Sequence, residues 1–148
     1  MKSNVRNIVV AVLLAGGTTT VVGAPAWAAP QPGGMQMNPD EQLNPGQRLT
    51  SPNGLNTLVM EPNGSLVEYI PGGLQVWSSG SSVPQSIFLA QNDGNFVVIA
   101  PGNQPEWATG TAGDVDEGNV LQIQDDRNVV VYAPGHVAIW SNHMAAGS

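Results

Sequence analysis

Three stretches of the chain, Glu61–Trp77 (EPNGSLVEYIPGGLQVW), Gln91–Trp107 (QNDGNFVVIAPGNQPEW) and Gln124–Trp140 (QDDRNVVVYAPGHVAIW), align on one another without a gap. Each opens on Gln or Glu and places Tyr69, Ile99 or Tyr132 eight residues further on. Each then runs through Pro71-Gly72, Pro101-Gly102 or Pro134-Gly135 and closes on a tryptophan. One such coincidence could arise by chance, but three registers held together mark a unit repeated three times. The copies differ mainly between units, where Gly113 to Gly118 forms a longer acidic loop before the third.

Within a unit the apolar residues alternate. Leu58 and Met60, Phe88 and Ala90, and Leu121 and Ile123 fall on one face, with polar or smaller residues between them, the period of a half-buried strand. Pro and Gly recur every few residues, which excludes a long helix. The reading is all-β. The repeated tryptophans, Trp77, Trp107 and Trp140, close every unit and are read as core rather than as exposed stacking platforms.

In the third copy the alternate residues Gln124, Asp126, Asn128, Val130 and Tyr132 face one side of an extended chain. Straight, the stretch would span ~26 Å at ~3.3 Å per residue, so a turn must fold it back before its ends can meet one small ligand. The second copy shows the turn chemistry in Asn92-Asp93-Gly94-Asn95 and the first in Pro62-Asn63-Gly64. A hairpin of this kind gathers a carboxylate, two amides and a phenol around a valine. That inventory suits a polyol, whose hydroxyls need donors and acceptors and whose ring carbons need an apolar contact. Asp and Asn are also common in turns for local reasons; Gln124 and Tyr132, in a repeat, favour the ligand site.

The pattern Q-x-D-x-N-x-V-x-Y, with its two counterparts and a tryptophan after each, resembles the bulb-type, mannose-binding lectins of monocots, over most of the chain from Leu43 onward. The resemblance implies a β-prism of three four-stranded antiparallel sheets with pseudo-threefold symmetry and the three tryptophans at its centre. It implies shallow outward sites that need no calcium or other cofactor. By resemblance, Asp126 and Asn128 would hold the axial O2 of mannose, Gln124 O3, Tyr132 O4, and Val130 the ring carbons. The second copy keeps Gln91, Asp93, Asn95 and Val97 but has Ile99 for the tyrosine, which implies a weakened site. The first, with Glu61, Asn63 and Ser65 beside Val67 and Tyr69, is expected not to bind mannose. Exchange of the C-terminal strand in a homodimer is a further implication.

Outward from the repeats, Lys2 and Arg6 precede an apolar run from Ile8 to Ala15, and Ala26-Trp27-Ala28 has the form of a signal-peptidase site. Residues 1–28 read as a secretory signal of a bacterial-style, extracellular protein. Residues 29–42, rich in Pro, Gly, Gln and Met, read as a flexible leader. Residues 43–148 read as the lectin domain, with repeat cores at 58–77, 88–107 and 121–140. Cleavage leaves about 120 residues, enough for one domain with a core. Arg48 and Arg127 then face eleven acidic residues, which argues against nucleic acid and anionic membranes as partners and leaves a mannose-containing glycan or polysaccharide. With no cysteine, neither disulfides nor thiolate metal sites are available.

Three rival readings are weaker. Asp114, Asp116 and Glu117 fail the spacing of a calcium loop because Gly118 takes the fifth position. His136 and His143 stand among turn and small residues and read as surface side chains. No nucleophile-elbow, metalloprotease or phosphate-loop motif occurs, so an enzyme is not expected. A lectin fold that has lost sugar binding and serves as an interaction or inhibitory module is the alternative retained.

Overall fold

The computed structural model describes residues 34–113 and 117–143. The expected signal sequence, the first part of the expected leader, and Asp114 and Asp116 of the acidic loop lie outside the described residues. Twelve strands form three four-stranded antiparallel sheets, and no described residue is helical.

Each repeat contributes three consecutive strands to one sheet. The first unit gives β4 (Thr57–Met60), β5 (Leu66–Ile70) and β6 (Leu74–Ser78). The second gives β7 (Ile87–Ala90), β8 (Phe96–Ala100) and β9 (Gln104–Ala108). The third gives β10 (Val120–Ile123), β11 (Val129–Ala133) and β12 (Val137–Ser141). The fourth strand of every sheet comes from the N-terminal segment. β1 (Gln36–Met37) joins the third unit, β2 (Gln42–Leu43) the second and β3 (Arg48–Thr50) the first.

This corrects the expected leader. Residues 36–42 are not a free arm: Met37 pairs with Leu121 and Gln42 with Leu89, and both are buried. Strands of two residues hold no periodicity, so Pro, Gly and Gln around them read as linker. Physically the segment laces the three units into one body, because each sheet would otherwise leave the buried edge of β4, β7 or β10 unpaired.

The alternating residues Leu58, Met60, Phe88, Leu121 and Ile123 point inward and join one core cluster. Trp77, Trp107 and Trp140 meet edge to face, their ring centroids 5.4, 5.7 and 6.3 Å apart around the triangle. Each such pair adds ~0.5–1.5 kcal/mol beyond area burial. The indoles pack against the core while staying partly exposed.

Opposite each tryptophan, across the last two strands of its unit, stand Glu68, Val98 and Val131. Just beyond these residues all three units carry a β-bulge, between Glu68 and Tyr69, Val98 and Ile99, and Val131 and Tyr132. The extra residue at each bulge lies on the last strand, at Val76, Glu106 and Ile139, so the tyrosine position keeps its regular register with the first strand of the unit. The Pro-Gly pairs then turn the chain. Gly72, Gly102 and Gly135 have φ of 90, 87 and 87°, as the residue after proline in a type II turn requires.

Candidate functional site

The third hairpin is closed by Gln124 N–H donating to Asn128 O (2.9 Å) and Arg127 N–H to Gln124 O (3.0 Å). Asp126 caps the turn from within, its Oδ1 accepting the Asn128 N–H at 2.9 Å. From outside, the buried Asn56 donates its Nδ2 to the carbonyls of Gln124 (3.0 Å) and Asp125 (3.2 Å). The turn that carries the site is therefore held by the residue preceding β4, closing the third unit onto the first.

Across the hairpin, Gln124 Nε2 donates to the Tyr132 hydroxyl at 2.6 Å. The two are diagonal rather than opposite: Tyr132 is the register partner of Val120 and Val130 that of Gln122. Val130, on the same face between Asn128 and Tyr132, is 3% exposed and forms the floor. Asn128 Oδ1 accepts the Ser141 hydroxyl at 2.7 Å, which ties the site to β12. Among the described residues, these bonds leave Gln124 Oε1 and Asp126 Oδ2 as acceptors and Asn128 Nδ2 and the Tyr132 hydroxyl proton as donors. The structure thus brings together all five residues expected in the third copy.

His136 was missed by the sequence reading. It takes a left-handed conformation (φ 64°) one residue past Gly135 and stacks flat on Tyr132, with centroids 4.0 Å apart and planes 10° from parallel. It covers one face of the phenol. Only its place in the repeated turn could have pointed to it, and no rule of turn chemistry selects an aromatic there.

The second copy repeats the turn, with Asp93 Oδ1 accepting the Asn95 N–H at 3.0 Å and Gln91 N–H reaching Asn95 O at 2.9 Å. Its face differs. Ile99 joins Leu89, Val97 and Ile87 in an apolar patch, so Gln91 has no hydroxyl across the hairpin. Asn95 Oδ1 is engaged by the N–H groups of Gly110 (2.9 Å) and Thr111 (3.1 Å).

The first copy departs most in sequence and least in frame. Tyr69 donates its hydroxyl to Glu61 Oε2, Asn63 Oδ1 accepts the Ser65 N–H at 2.9 Å, and Ser65 and Ser78 share a hydroxyl bond of 3.0 Å. These three bonds correspond one for one to Gln124–Tyr132, Asp126–Asn128 and Asn128–Ser141 in the third copy. The hydrogen bond to Glu61, with burial adding to it, raises the Tyr69 pKa above its ordinary value.

No protein-family model matches the sequence, and no curated protein matches it. Solved structures do. A monomeric monocot mannose-binding lectin from Gastrodia elata is 31% identical over 76% of this chain and 99% of its own, with a TM-score of 0.69. The chain belongs to the monocot mannose-binding lectin family. Two other lectins support the placement. That of Marasmius oreades is 27% identical over 79% of this chain and 97% of its own (TM-score 0.70). The mannose-specific agglutinin of snowdrop, Galanthus nivalis, solved with methyl α-D-mannoside, is 29% identical over 76% of this chain and 99% of its own (TM-score 0.61). The lectin fold accounts for the three sheets and for outward hairpins as the places where polar groups collect.

Proposed function

We propose that this chain is a secreted lectin that binds mannose-type glycans without a metal. The principal site is Gln124, Asp126, Asn128, Val130 and Tyr132, with a weaker one at Gln91, Asp93, Asn95 and Val97. One observation carries the reading: the third hairpin holds its polar groups rigid with one set of atoms and leaves two acceptors and two donors on one face for a polyol. The second copy lacks the phenol. A neutral hydrogen bond contributes ~0.5–1.5 kcal/mol net, so its affinity should be several-fold lower.

Placement supports binding over catalysis. Glu61, Asp93 and Asp126 stand on hairpins of three different sheets, whereas glycoside hydrolysis needs two carboxyl groups flanking one bond. The alternative, an interaction module without sugar binding, is favoured by the second copy, where Ile99 stands in place of the phenol and joins Leu89 and Val97 in an apolar patch. Retention of the protein on immobilised mannose with elution by free mannoside separates the two: passage in the void volume supports the module. Export is tested by N-terminal sequencing of protein recovered from the medium, which should begin near Ala29.

For assembly, a homodimer made by exchange of the C-terminal strand would repeat between chains the pairing that β12 makes here with β11 of its own chain. Light scattering at micromolar concentration measures this directly: twice the monomer mass is the dimer, and the monomer mass excludes the exchange.

A further inference from the structure

We propose that the first copy is a second kind of carbohydrate site, built around Glu61, Asn63, Ser65 and Tyr69, that recognises the ammonium group of a protonated amino sugar. This rests on the carbohydrate-binding reading of the fold, and the test below separates the two.

The direction of one hydrogen bond sets this site apart from the third copy. In the third copy the amide of Gln124 donates to Tyr132, so the phenol keeps its proton for a ligand. A carboxylate has no proton to give. In the first copy the bond therefore runs the other way, from the Tyr69 hydroxyl to Glu61 Oε2. The Tyr69 oxygen then offers only lone pairs, and Glu61 Oε1, without a partner among the described residues, does the same. One edge of the site is acceptor-only and carries a negative charge.

At the other edge Asn63 spends its Oδ1 on the turn and keeps Nδ2 as a donor, while Val67, 2% exposed, forms the same floor as Val130. A neutral hydroxyl offers one proton to the acceptor edge. An ammonium offers three and a charge, and the rest of a pyranose ring meets the amide donor and the floor. Arg48, across the sheet from Val59 and on the same face, makes no ion pair with Glu61. The chain's formal net charge of −7 favours the approach of cations.

The frame argues against a merely decayed copy. Each of its three tying bonds is kept although three of the residues differ from those of the third copy, and Gly64 is packed so closely that a Cβ would fall 2.1 Å from the Val83 carbonyl oxygen.

The test is calorimetry at about pH 6, where an aliphatic amine is protonated, with methyl 2-amino-2-deoxyglucoside, its N-acetyl counterpart and ethanolamine as probes. The full-length mature protein, Glu61→Gln and Asp126→Asn are compared. The amino sugar should bind the parent and Asp126→Asn alike and lose roughly tenfold or more with Glu61→Gln, the loss expected of one charge-assisted contact. The N-acetyl sugar and ethanolamine should bind at least tenfold more weakly than the amino sugar. The proposal is overturned if the amino sugar does not bind, if Asp126→Asn rather than Glu61→Gln removes it, or if either control binds as well. Methyl mannoside titrated into the same proteins reports on the third copy independently, so its loss would indict the other reading and not this one.

Discussion

Glu68 occupies a position that holds valine in the other two units, facing the tryptophan triad, and is fully buried. Its Oε1 accepts the Asn142 amide at 2.8 Å, and its Oε2 has no partner among the described residues. Burial pushes its pKa up from 4.5 to about 7, against smaller lowering by the Asn142 bond and Arg127 and a small further rise from Asp126. Because the folded value exceeds the unfolded one, the folded state holds more proton between them. Stability linked to Glu68 is complete below about pH 4.5, declines as pH rises, and is lost by about pH 7. At ~1.4 kcal/mol per pH unit of separation, the loss amounts to about 3 kcal/mol.

Glu68→Gln removes the charge and keeps an oxygen for Asn142. Near pH 5 the variant should lead the parent by no more than about 1 kcal/mol. Near pH 8 the variant should be more stable by up to about 3 kcal/mol, or roughly 12 °C at about 4 °C per kcal/mol for a domain of this size. Thermal unfolding followed by tryptophan fluorescence at both pH values is the assay. Comparing the two proteins cancels the other carboxylates. If the gap between them is the same at pH 5 and pH 8, Glu68 does not titrate in the folded state as burial requires.

Three further substitutions test the packing and the site. Gly64→Ala should cost more than about 2 kcal/mol, since its Cβ would overlap the Val83 backbone and its φ is +97°, whereas Gly72→Ala, with nothing within 4 Å, should cost only about 1 kcal/mol of left-handed strain; urea unfolding of both measures the difference. His136→Ala uncovers one face of Tyr132 and should weaken mannoside binding only several-fold, by loss of positioning worth about 1 kcal/mol, without moving the melting temperature much; a complete loss would place the histidine in direct contact with the sugar.

The repeat made the architecture readable. Leu58/Met60, Phe88/Ala90 and Leu121/Ile123 carry period two strongly enough to define β4, β7 and β10, and the spacing of Trp77, Trp107 and Trp140 shows that equivalent points converge. What the pattern missed has physical causes. β1 and β2 are two residues long, too short to show any period, and their burial is decided by distant partners in β10 and β7. Glu68 was legible in principle, as the one polar member of an aligned Glu68, Val98, Val131 column, but only the structure shows that the column faces inward. The diagonal reach of Gln124 to Tyr132 passes over the Gln122–Val130 pair, and it depends on side-chain conformations that no residue in the stretch announces. Likewise the reversed hydrogen bond of the first copy follows from Glu61 once Tyr69 is known to be beside it, and eight residues of sequence alone do not show that.

Sugar binding by the third hairpin is tested most directly by calorimetry of methyl α-D-mannoside with the parent protein and Asp126→Asn. Asparagine can cap the turn, as Asn63 does in the first copy with its Oδ1 on the Ser65 N–H, so the fold is kept while the charge is removed. Charge-assisted bonds contribute ~1.5–3 kcal/mol, and the variant should lose mannoside binding by tenfold or more at an unchanged melting temperature. Mannoside affinity equal in the two proteins would contradict the assignment.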